Sequence, residues 1–140
     1  MPVRFILNGR PCEESKVLPS TTVLDYLREH LRLIGTKEGC AEGDCGACTI
    51  ATTRRDKDSL IYEAVNSCLM LVPQLEGKEV LTVEGLADVD GRPHPVQQAI
   101  VEMHGAQCGF CTPGIVMALF AFHHSSDRNE PENIHDALAG

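Results

Sequence analysis

Residues 39–48 read Gly39-Cys40-Ala41-Glu42-Gly43-Asp44-Cys45-Gly46-Ala47-Cys48. The C-x4-C-x2-C spacing is that of a plant-type [2Fe–2S] cluster, which takes a fourth thiolate from further along the chain. Cys68 is the candidate. Gly39, Gly43 and Gly46 fit the same requirement. A loop around a bulky cluster must turn repeatedly and bring its backbone close to sulfur, which residues lacking Cβ do without steric cost. Amide N–H groups directed at the sulfurs then help to set the reduction potential.

The rest of the chain has to build a scaffold for that loop. Its 140 residues suit one or two small domains. Twelve Lys+Arg stand against 20 Asp+Glu, a formal charge of −8, which argues against nucleic acid as a partner. No apolar run is long enough to span a bilayer. No charged-then-apolar leader opens the chain, so the expectation is a cytoplasmic protein with no membrane partner. In a reducing compartment clustered cysteines are metal ligands or redox groups rather than disulfides. Four of the seven cysteines belong to the cluster set, two form a C-x-x-C, and Cys12 stands alone. Cys12 reads as a small packed hydrophobe.

Val3, Phe5 and Leu7 alternate up to Asn8-Gly9, a type I′ turn signal, so a hairpin with a second strand at about residues 11–17 is predicted. Pro19-Ser20-Thr21 predicts a helix start capped by Ser20 or Thr21, with Asp25 in the first turns. Val23, Leu24, Leu27 and Leu31 form its stripe, and Gly35 its stop. Residues 49–52 read as a strand, 54–58 as a charged turn, 62–66 as a return to Cys68, and 79–84 as a last strand. After a turn-rich linker at 88–95 come three helical patterns. The first opens at Pro95 and stops at Gly105. The second is capped by Thr112 with Pro113 following. The third runs from Pro131 towards Gly140. Three short amphipathic helices cannot bury all their apolar faces alone.

Cys108-Gly109-Phe110-Cys111 immediately precedes the second of these helices. Three readings compete: half of a second iron–sulfur site, a thioredoxin-like dithiol, or a zinc site shared with Cys45 and Cys48. Zinc would leave Cys40 and Cys68 unused, and the dithiol lacks a surrounding βαβ pattern. His123 and His124 close the same helix and read as solvated histidines favoured by its dipole, not as metal ligands. The chain shows no paired carboxylates, Ser–His–Asp set or phosphate loop, hence no catalytic residue of its own.

Thr36-Lys37-Glu38-Gly39-Cys40, Gly43-Asp44-Cys45-Gly46-Ala47-Cys48 and Gln107-Cys108-Gly109-Phe110-Cys111-Thr112-Pro113-Gly114 resemble the iron–sulfur portion of the molybdenum hydroxylases. Val65-Asn66-Ser67-Cys68 and His94-Pro95-Val96-Gln97-Gln98 are most similar to xanthine dehydrogenase small subunits. The resemblance spans essentially the whole chain. It implies an α+β fold: a β-grasp, ferredoxin-like domain over residues 1–87, then an incomplete all-α domain of four-helix-bundle type over 88–140. Cys40, Cys45, Cys48 and Cys68 would hold the first [2Fe–2S] cluster. Cys108 and Cys111 would hold part of a second, and Gln107 would lie near molybdopterin.

The implied activity is purine hydroxylation, with electrons passing from molybdopterin through the clusters to FAD and NAD. The implied partners are a molybdopterin-binding large subunit and an FAD-binding domain or subunit. Aldehyde, carbon monoxide, nicotinate and isoquinoline oxidising relatives share these motifs, and a stand-alone ferredoxin-like carrier is the alternative class. The family's second cluster also takes a C-x-C pair that this sequence lacks. The expectation is therefore a truncated chain whose Cys108 and Cys111 form a half-liganded or empty site, as thiols or a disulfide.

Overall fold

A computed structural model describes residues 1–125 and 131–139; Gly140, at the end of the last helical pattern, lies outside the described residues. Strands β1 (Val3–Leu7) and β2 (Arg10–Glu14) form the expected hairpin. Asn8 and Gly9 adopt φ of 49° and 80°, as a type I′ turn requires. The second strand ends earlier than expected because the Glu14 carboxylate turns back onto the amides of Lys16 and Val17, at 2.6 and 3.3 Å.

The first helix is capped by Thr22 rather than Ser20 or Thr21: the Thr22 hydroxyl accepts from the Asp25 amide at 3.1 Å. Helix α1 (Val23–Asp25) widens into a π-helical turn over Tyr26–His30. Arg32, at φ 58°, takes the chain out of the helix, three residues before the expected stop at Gly35. Gly35 serves close packing instead. A Cβ there would sit 2.5 Å from Val83 Cγ1, and its amide donates to Glu84 Oε2 at 2.9 Å.

Strands β3 (Thr49–Asp56) and β4 (Ser59–Asn66) pair antiparallel from Thr49↔Asn66 to Asp56↔Ser59. Arg54, Arg55 and Asp56, expected in a turn, therefore extend the strand, and the reversal contracts to Lys57-Asp58. Strand β5 (Glu79–Leu81) is shorter than expected; the chain turns into a 3-10 segment at Val83–Gly85. The sheet order is β2-β1-β5-β3-β4, with β1 and β5 parallel and the other pairs antiparallel.

Both faces of this sheet are covered. On one, Phe5, Leu7, Ile50 and Val80 pack against Val23, Tyr26 and Leu27 of the first helix. On the other, Ala51 and Leu86 pack against Val116, Met117 and Phe120 of α3 (Thr112–His123). Alternation along β3 sends Ile50 to one layer and Ala51 to the other, and residues 49–53 are all buried. Helices α2 (Pro95–Glu102) and α4 (Pro131–Leu138) flank α3. The helical half thus buries its main face on the sheet, not only on other helices.

Two caps in this half differ from the sequence reading. Cys111, not Thr112, occupies the cap of α3 and makes no side-chain capping bond. His94 caps α2: its Nδ1 accepts from the Val96 amide at 3.2 Å, and Gln97 Oε1 accepts from the His94 amide at 3.0 Å. His104, at φ 52°, ends α2 just before Gly105.

Tyr26 and Tyr62 are the chain's two tyrosines. Burial, then the Glu14 carboxylate, pushes the Tyr26 phenol up to about 12 from 10.0; burial and Glu79 raise that of Tyr62. A raised phenol stabilises the fold below the unfolded value, and that contribution is lost as pH rises from 10 towards 12. Tyrosine absorbance should therefore ionise late in the folded protein. Tyr26→Phe should flatten the alkaline limb of a stability-against-pH curve; an unchanged limb would show that Tyr26 contributes nothing there.

A candidate iron–sulfur centre

The turn from residue 39 to 48 is held by its own sulfurs. Cys40 Sγ accepts from the amides of Glu42, Asp44 and Cys45 at 3.4, 3.3 and 3.3 Å. Cys45 Sγ accepts from the amides of Cys40 and Ala47 at 3.3 and 3.4 Å. The glycines make this winding feasible. A Cβ on Gly39 would lie 2.6 Å from Cys45 Sγ. Gly43 and Gly46 have φ of 81° and 73°, and a Cβ on Gly43 would collide with Leu69.

The other two sulfurs come from the sheet. Cys48 immediately precedes β3 and Cys68 follows β4 by two residues, so the Thr49↔Asn66 pair brings them together. Both are buried against Leu24. Ser67, fully buried, fastens the crossing: its hydroxyl donates to the Cys48 carbonyl at 2.6 Å, and its carbonyl accepts from the Leu24 amide at 3.0 Å. Asn66 Nδ2 donates to the Gly43 carbonyl at 3.1 Å, tying loop to strand. Asn66 and Ser67 lie in the Val65-Asn66-Ser67-Cys68 segment, where the sequence assigns neither a role. Nothing in their residue types announced it, because the role depends on strand register.

Two electrostatic environments result. Amide donors from Cys45, Glu42 and Asp44 hold the Cys40 thiol down at about 7. Burial, then the neighbouring Cys48, pushes Cys68 up to about 11. Four convergent sulfurs, two accepting several backbone N–H bonds and two shielded from water, fit a four-thiolate [2Fe–2S] cluster.

The second cysteine pair lies elsewhere on the surface. Gln107, Cys108 and Cys111 are exposed. Cys111 nevertheless shares a cleft of about 400 Å³ with Cys45 of the first set. The floor of that cleft is a close approach between loop and helix. A Cβ on Gly114 of α3 would run into the Gly46 carbonyl oxygen and lie 3.2 Å from Ala47 Cα. The motif that contains Gly114 gives no sign along the chain of this contact. Cys12 sits across the sheet in the half-buried fringe of the first core.

Two expectations follow. Gly114→Ala should cost about 1–3 kcal/mol through overpacking, read as a lower unfolding midpoint, and a neutral substitution would deny the close contact. In cluster-free chain near neutral pH, iodoacetamide followed by peptide mapping should label Cys40 well before Cys68; the reverse order would contradict the two environments.

Comparison with known proteins finds [2Fe–2S] binding domains along the chain. A 2Fe-2S iron-sulfur cluster binding domain matches residues 5–73, and a [2Fe-2S] binding domain matches residues 82–140. Xanthine dehydrogenase of Drosophila pseudoobscura pseudoobscura is 44% identical over 138 residues, covering 97% of this chain and 10% of the relative. Aldehyde oxidase 1 of Oryctolagus cuniculus is 47% identical over 137 residues, again 10% of the relative. The chain thus spans about a tenth of the length of these relatives. Among solved structures, quinoline 2-oxidoreductase from Pseudomonas putida 86 superposes with a TM-score of 0.83 at 32% identity, over 100% of this chain and 80% of that one. The aldehyde oxidoreductase of Desulfovibrio gigas gives 0.84 at 29%, over 99% of this chain and 14% of that one. The chain belongs to the xanthine dehydrogenase (molybdenum hydroxylase) family and corresponds to its [2Fe–2S] segment.

Proposed function

We propose that this chain is the electron-transfer part of a molybdenum hydroxylase, with xanthine dehydrogenase the first reading. The observation that carries the proposal is the shared cleft, in which Cys45 of the four-sulfur set and Cys111 of the second pair line one space. Cys40, Cys45, Cys48 and Cys68 would hold the first [2Fe–2S] cluster. Bound there, such a cluster takes up and releases one electron at a time. The chain's own contribution is to fix the sulfurs and shape their charge. The Cys40 and Cys45 sulfurs accept amide N–H bonds that favour added negative charge, while Cys48 and Cys68 are kept from water.

Cys108 and Cys111 would give two thiolates to a second cluster. The set then needs two more, and the remaining cysteine of this sequence, Cys12, lies at β2. Residues 1–87 would form the β-grasp unit and 88–140 the helical unit. The exposed segment from Gln107 to Cys111 would face a molybdopterin-binding partner, with FAD on a further domain or subunit. Its apolar neighbours support an interface over a stand-alone carrier: Met103 and Phe110 are 79% and 48% exposed. Aldehyde oxidation is the second reading, because relatives named aldehyde oxidase are as similar as those named xanthine dehydrogenase.

Electron paramagnetic resonance of the dithionite-reduced, reconstituted chain, with iron analysis, tests the ligand assignment. Wild-type chain should show one [2Fe–2S] signal with about two irons per chain. Cys45→Ser should lose it and Cys12→Ala should keep it; retention in Cys45→Ser would overturn the assignment. In the assembled complex, hypoxanthine should reduce the cluster faster than an aldehyde does. A preference for aldehyde would move the assignment to the second reading.

A further inference from the structure

Away from the cysteines three imidazoles meet. His94, at the cap of α2, and His123 and His124, at the end of α3, bring ring nitrogens within 4.8 Å of one another. We propose that His94, His123 and His124 form a binding site for a divalent transition-metal ion, Zn²⁺ by preference, with a further coordination position open to solvent.

The spacing of one pair is close to what one ion needs, and the third ring lies within reach. His94 Nε2 and His124 Nε2 are 3.2 Å apart. Two imidazole nitrogens bound to a single tetrahedral zinc would be roughly 3.4 Å apart, given bonds of about 2.05 Å. The orientation is held by aromatic neighbours: the Phe120 ring centroid lies 5.0 Å from that of His94 and 4.6 Å from that of His124. His94 and His123 are half-buried and His124 is exposed, so the site has two anchored donors and an open side. Three neutral nitrogen donors suit zinc, copper or nickel, and three protein ligands with one open position is an established arrangement for zinc.

Loading requires a change of tautomer at His94. His94 Nδ1 accepts from the Val96 amide, so without metal the ring proton of neutral His94 sits on Nε2, directed at His124 Nε2. An ion takes the place of that proton. Ligation through Nε2 moves the His94 proton to Nδ1, with no net release, and the Val96 amide, losing Nδ1 as its acceptor, must donate to water instead. The second capping bond, Gln97 Oε1 to the His94 amide, is untouched. The ion would then join the start of α2 to the end of α3. Cys111 lies at the other end of α3, roughly 18 Å along a 12-residue helix.

Nothing along the chain links His123 and His124 to His94, 29 residues upstream of His123, so the sequence alone points to solvated histidines. Isothermal titration of Zn²⁺ into the cluster-loaded chain tests the site. Cys108→Ser and Cys111→Ser remove the competing exposed thiols. This background should bind one zinc per chain. His94→Asn keeps a favoured capping side chain yet removes a ligand; it and His123→Gln should each weaken binding by about tenfold or more, with the circular dichroism spectrum unchanged. No stoichiometric zinc in the background, or undiminished binding in either histidine variant, overturns the proposal. Zinc held by leftover thiolates would give the second of these results.

Discussion

The register between β3 and β4 is the constraint from which the rest follows. Cys48 and Cys68 are 20 residues apart in the chain, and they meet because Thr49 pairs with Asn66. A slip of one residue would exchange the faces of a whole strand. It would send Ile50 towards the layer of α3 and Ala51 towards that of the first helix, against the volumes each layer now holds. The burial that specifies the register therefore also specifies where the two sulfurs lie. Ser67 adds a local lock, since its hydroxyl and amide both reach the Cys48 carbonyl.

This arrangement splits the site by environment. The loop sulfurs are wrapped by backbone N–H donors and lie near the surface, while the strand sulfurs are sealed by Leu24. Charge added to such a site is stabilised from one side by oriented amides and confined on the other by apolar packing. The sheet supports this because both its faces are covered, and β3, the strand behind the loop, is buried on each side.

Legibility followed the range of the interactions. The hairpin turn at Asn8-Gly9 was readable because the conformation depends on two adjacent residues. The winding of the loop at 39–48 was readable because its cysteines and glycines lie within ten residues, and its sulfurs accept from amides of that same stretch. Helix α4 matched its pattern from Pro131, where proline marks the first turn. Helix caps were misread by one residue at Thr22 and Cys111, since several neighbouring side chains had capping chemistry and only packing selects among them. The strands at 49–56 and 59–66 were read too short, because Arg54 and Arg55 looked like turn residues; cross-strand pairing outweighed that local signal. Contacts across long separations were invisible: Gly114 against Gly46, Ser67 over Cys48, His94 beside His124.

The Gly114 contact carries a consequence for how such a chain can change. A helix and a loop that touch backbone to backbone leave no side chain between them to absorb a substitution. Any enlargement on one surface has to be answered on the other, or the two part company. The cysteine-bearing turn and the helix behind the second cysteine pair are thus bound to vary as matched halves, and grafting either onto a foreign partner would require carrying its counterpart along.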